Sequence, residues 1–230
     1  MKRSSYASLA FAASLVLASV GTAQTTFHFE GIKNSSVNLA GYGIGAYQAS
    51  TAPYTSKFDI YCIDFDNHAH SVWTGRVLTF AQATSAQYIG GVTRALGGTP
   101  SWDIKNLQAA AYLSQQFTDA NRIGGVWDDI HGAIWSMFST NSVTHAGAWS
   151  TYQTNALNFA GSHANDFNDY VIIVDNNAFD DNYRGALNQT FISNDPDNTI
   201  HTVTPEPGTW ALMSAGLLAV AVARRRRRVA

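Results

Sequence analysis

The chain has 230 residues and a formal net charge of −2, a near-balance that hides an asymmetry: five of its ten arginines form the run Arg224, Arg225, Arg226, Arg227 and Arg228. Residues 24–204 carry 7 Lys and Arg against 15 Asp and Glu, a formal −8, which leaves no basic patch for nucleic acid or an anionic membrane surface. The single cysteine, Cys62, excludes an intrachain disulfide, so stability rests on burial, for which Trp73, Trp102, Trp127, Trp135 and Trp149 supply large apolar areas.

Met1-Lys2-Arg3, the apolar stretch 9–20 and Gly21-Thr22-Ala23 supply the positive start, apolar core and small-residue cleavage site of a secretory signal peptide. Residues 1–23 are therefore expected to be removed. Residues 24–204, about 180 in number, suffice for a single extracellular domain with a real core. Phe27 and Phe29, then Val37, Leu39, Tyr42 and Ile44, alternate over residues 26–47 and predict two strands with a turn near 31–35. Alternation returns over 57–65, with Phe58, Ile60 and Cys62 on one face and Tyr61, Ile63 and Phe65 on the other. A further strand is predicted over 71–80, with Gly75 marking a bulge.

The period then becomes helical. Ile104, Leu107, Ala111, Ser114 and Phe117 recur at three- and four-residue spacing after Ser101, the expected N-cap. A second helix follows Gly124-Gly125 and buries Trp127, Ile130, Ile134, Met137 and Phe138; a third groups Trp149, Tyr152, Ala156 and Phe159. Strands resume at 170–174, 189–193 and 199–203, separated by Asn/Asp-rich turns, and 193–204 reads as a stem. The expected fold class is α+β, with β-sandwich-like strands at both ends and a central helical segment.

Beyond the stem, Pro205, Glu206 and Pro207 precede an apolar run of 16 residues, 208–223, and then the five arginines. An apolar segment followed by concentrated positive charge stops in a membrane with the arginines on the cytoplasmic face. At 16 residues it is shorter than the roughly 17 to 25 of a spanning helix, which suits a transient signal better than a retained anchor, the alternative. In order and spacing, residues 204–230 resemble the PEP-CTERM sorting signal of bacterial exported proteins. That resemblance implies an inner-membrane exosortase as partner and recognition near Pro205-Glu206-Pro207. It also implies membrane contact through a C-terminal transmembrane segment before processing, and residence in the cell envelope or extracellular matrix, often beside exopolysaccharide.

Tyr61-Cys62-Ile63-Asp64, the helical Ala109-Ala110-Ala111-Tyr112-Leu113 and Ile130-His131-Gly132-Ala133-Ile134-Trp135 resemble the order of elements in bacterial surface thioester domains. That family joins a cysteine to a glutamine in a Gln-x-Ala-Ile-Trp segment. Here His131 holds the glutamine's position, and an imidazole has no carboxamide to acylate a thiol; Gln108 lies in the preceding helix. Two readings of the catalytic candidates Cys62 and His131 stand. In one, both are core residues, Cys62 as a small hydrophobe. In the other, imidazole activates thiol for acyl transfer or hydrolysis, with Asp64 orienting it if a bulge turns that carboxylate inward.

His68 and His70, with Asp64 and Asp66 nearby, offer two imidazoles without a third convincing ligand. Asp175, Asp180 and Asn182 are oxygen donors suited to calcium, yet Phe191 stands where an EF-hand loop needs glutamate, and turn chemistry explains the same residues. Gly-x-Ser-x-Gly, His-Glu-x-x-His and phosphate-loop patterns are absent. The expectation is an exported structural or adhesive protein, exopolysaccharide-associated, neither an enzyme nor a cofactor binder; the alternative is a Cys62-dependent enzyme.

Overall fold

Six strands carry the fold, and they close on themselves. In the computed structural model, the described residues are 24–33, 38–39, 41–51, 56–98, 102–122, 125–139, 141, 147–195, 200 and 216. All but Gly216 fall in one compact unit, Thr22–Thr204. The expected signal peptide (1–23), the strand at 199–203 apart from Ile200, and the sorting segment apart from Gly216 lie outside the described residues.

β1 (Gln24–Ile32), β4 (Tyr47–Thr51), β5 (Lys57–Cys62), β8 (Phe191–Asn194), β7 (Tyr170–Asp175) and β6 (Val72–Thr79) pair in that order, each antiparallel to its neighbours, and β6 returns to β1. A small hairpin, β2 (Asn38–Leu39) and β3 (Tyr42–Gly43), interrupts the first half. The expected strands–helices–strands order holds, but the strands form a barrel in place of the expected sandwich-like pairing. Closure depends on β8 joining β5 through Tyr61↔Ile192 and Cys62↔Phe191, a pairing of residues about 130 positions apart that alternation alone does not specify.

The alternation does place side chains correctly. Phe27, Ala49, Ile60, Cys62, Val77, Ile173 and Phe191 are inaccessible or nearly so. Phe27 packs edge-on to Phe58 and stacks on Trp73, which in turn meets Phe191. Gly75 makes no bulge, because its pairing runs unbroken to Thr25 and Asp175. Its role is close approach, since a Cβ there would sit 3.0 Å from the Phe27 ring. The irregularity lies instead in β1, where the register shifts between Phe29 and Gly31.

Helices cover the outside of the barrel's second half. Every residue of β7 is buried, as expected of a strand with a core on each face. α1 (Phe80–Ala83) and α2 (Ile89–Ala95) follow β6; α3 (Ile104–Ser114), α4 (Val126–Phe138) and α5 (Trp149–Ser162) form the predicted helical centre. α3 starts at Asp103 rather than Ser101, which lies outside the described residues. The Asp103 carboxylate accepts the Asn106 N–H while the Asn106 amide accepts the Asp103 N–H, a reciprocal cap that fixes the helix start. Barrel interior and helical layer share one apolar cluster.

Candidate functional site

α4 brings the sequence's candidate residues together. Gly125, in the left-handed conformation at φ 79°, turns the chain into this helix, and Asp128 and Asp129 in its first turn suit the positive end of the helix dipole. Trp127, His131 and Trp135 follow at four-residue spacing and lie on one buried stripe. That stripe sets His131 against the end of β5. Its Nδ1 accepts the Gly45 N–H at 3.1 Å, which leaves the proton on Nε2, and Nε2–H donates to the backbone oxygen of Cys62 at 3.1 Å. The ring lies 4.2 Å from Trp135 and 5.3 Å from Phe117, centroid to centroid.

Sequence neighbours and spatial neighbours differ at the atomic level here. The imidazole holds the Cys62 carbonyl, whereas the thiol donates to the Asp64 backbone oxygen at 2.9 Å and accepts the Trp135 indole N–H at 3.3 Å. Cys62 and His131 are both inaccessible to solvent. Burial pushes the Cys62 thiol well above its ordinary range, with the Asp64 charge adding to the effect. Burial also lowers the His131 pKa to about 3, against which its bond to the Cys62 carbonyl acts. A neutral imidazole beside a neutral thiol, each committed to other partners, forms a clamp between α4, β5 and the Gly45 loop. Burial disfavours both the thiolate and the imidazolium there, and neither side chain is reached by solvent.

Asp64 does turn inward, at 1% exposure, but it does not orient His131. Its carboxylate accepts the Asp66 N–H at 2.8 Å and the Asn67 amide at 2.5 Å, and burial raises its pKa to about 6 in spite of those bonds. Gln108 is likewise engaged elsewhere, donating to Ala164 O at 3.0 Å. Among the described residues no glutamine amide bonds the Cys62 thiol itself, although the Gln189 amide donates to the same Asp64 backbone oxygen that accepts the thiol.

The loop after β5 is a polar hub that sequence reasoning missed. Asn67 reaches Ala95 O at 2.8 Å, Asp66 accepts Ser139 Oγ at 2.7 Å and the Asn141 amide at 3.1 Å, and Gln189 donates to Asp64 O at 2.9 Å. The legible signal was Asp followed two residues later by a free N–H, the Asx-turn pattern. His70 offers its backbone N–H to Asn188 at 2.6 Å, and His68 forms a bridge with the same residue.

The calcium candidates are spread over turns. Asp175 accepts Asn177 N–H at 2.8 Å and Asn188 N–H at 2.7 Å, and Asp180 accepts Asn182 N–H at 2.9 Å. Among the described residues, no three His, Cys, Asp or Glu side chains converge as a metal site. Nor is any helix among them long and apolar enough to cross a membrane, while the run 208–223, Gly216 apart, lies outside them.

No curated protein and no solved structure matches the chain. Residues 203–228 match the PEP-CTERM protein-sorting motif. The match takes in Pro205, Glu206, Pro207 and Arg224 to Arg228, in the order that the topology argument requires. The chain thus carries the sorting signal of an exported protein processed by an exosortase.

Proposed function

We propose that residues 24–204 are a structural or adhesive component of the cell envelope or extracellular matrix, associated with exopolysaccharide and without catalytic activity. The sorting motif at 203–228 is the observation that carries this reading. Residues 1–23 direct export, the run 208–223 contacts the inner membrane transiently with Arg224 to Arg228 on the cytoplasmic side, and processing near Pro205-Glu206-Pro207 frees the body. The enclosed thiol and the structural use of His131 support a scaffold rather than an enzyme.

The test is fractionation of the producing cells followed by intact-mass measurement. The wild-type protein should appear outside the inner membrane with a mass lacking both terminal segments. Glutamine in place of Arg224 to Arg228, or alanine in place of Pro205-Glu206-Pro207, should leave the longer form in the inner-membrane fraction. Unchanged delivery of both variants would overturn the proposal.

A further inference from the structure

A groove of about 370 Å³ runs between the outer face of β6, α2 and the turn Asn176–Phe179. Arg76 lines it in a fixed orientation. Its Nε–H donates to Asn176 Oδ1 at 2.8 Å, and its guanidinium carbon lies 4.7 Å from the Phe179 ring centroid. The Nη edge meets no acceptor among the described residues. Across the groove Arg94 donates to Asp180 O at 2.8 Å and pairs with Asp181, whose side chain is 93% exposed, so that solvent weakens the pair. Gly91 lets Phe179 lie against α2, since a Cβ there would come within 2.2 Å of the ring, while at Gly90 nothing lies within 4 Å of the Cβ position and the groove stays open.

A planar guanidinium held by Nε and by an aromatic face, with its Nη edge open, is preorganised for bidentate binding of a carboxylate. The volume lies in the range of small-ligand sites, and the Gln87 amide, whose nitrogen donates to the Tyr88 hydroxyl at 3.1 Å, has its oxygen left to accept a sugar hydroxyl. A body of formal charge −8 does not gather anions by its overall field, so recognition of one must be local. We infer that this groove binds a uronate unit of an acidic polysaccharide, with Arg76 holding the carboxylate. The polysaccharide source rests on the matrix reading above.

The experiment is calorimetric titration of the processed protein recovered from its host with trigalacturonate, maltotriose and inorganic phosphate. Trigalacturonate should bind at least tenfold more tightly than either of the others. Arg76→Gln should weaken it about tenfold or more. Gly90→Asp, which adds a carboxylate in open space, should do the same while leaving the melting temperature unchanged. Equal affinity in both variants would overturn the inference, as would phosphate or maltotriose binding as tightly as the uronate. Failure here with normal envelope delivery removes the groove assignment alone, whereas failed delivery with intact binding removes the matrix reading alone.

Discussion

Two buried titratable side chains near the end of β5 pull stability in opposite directions with pH. His131 takes its proton at about 3 in the folded protein against 6.5 ordinarily, so the unfolded chain binds the extra proton between those values and stability falls as pH falls. Asp64 takes its proton at about 6 against 3.8, so between pH 6 and 4 the folded protein binds the extra proton and stability rises as pH falls. The two slopes oppose each other over that window. Asp64→Asn should expose the histidine slope, a loss of up to about 1.4 kcal/mol per pH unit from pH 6 to pH 4, read from urea midpoints. A pH dependence unchanged from wild type would refute it. Cys62→Ala should cost about 1–3 kcal/mol, because the Trp135 indole N–H loses its buried acceptor, and should leave export unaffected. In the native protein Cys62 should resist iodoacetamide until denaturant is added; rapid labelling would argue for the nucleophile instead.

At the scale of elements, the segment before β4 shows how a backbone position serves a helix 80 residues away. Gly45 sits at φ 97°, its N–H caps His131, and a Cβ there would lie 2.5 Å from the Trp127 ring. Gly45→Ala combines a strained backbone with overpacking against a buried indole, so a loss of about 2–4 kcal/mol is expected by chemical denaturation. A loss below about 1 kcal/mol would mean that α4 is less rigidly seated than its contacts indicate. The Asp103→Ala substitution should be milder, about 1 kcal/mol, as usual for a lost N-cap. The long helices were legible because each repeats its apolar residues at helical spacing across more than two turns. α1 and α2 were not, because four and seven residues, two of them Gly90 and Gly91, are too few for a period to show.

For the whole molecule, β8 is the keystone. It is a four-residue strand held between β5 and β7, and Ser193 Oγ fastens it to Asp59 O at 2.7 Å. Deleting the chain beyond Gln189 should open the barrel and expose both flanking strands, abolishing cooperative unfolding by circular dichroism. Retention of a cooperative transition in that truncation would show that the helical layer is stable without closure.

The sorting motif was legible in the sequence because such a signal is a linear pattern: a tripeptide, an apolar run and a charge cluster are defined by order and spacing alone. Strand and helix order was also local information, carried by apolar periods of two and of three to four residues. Which strands meet was not, since pairing Cys62 with Phe191 is decided by long-range packing. The same holds for Cys62 and His131. Their types and positions left both a core reading and a contact reading open, and only the tertiary structure showed that the imidazole grips a carbonyl while the thiol faces an indole. Which atoms of two buried side chains meet is set by how α4 packs on the end of β5, and residue spacing does not encode that.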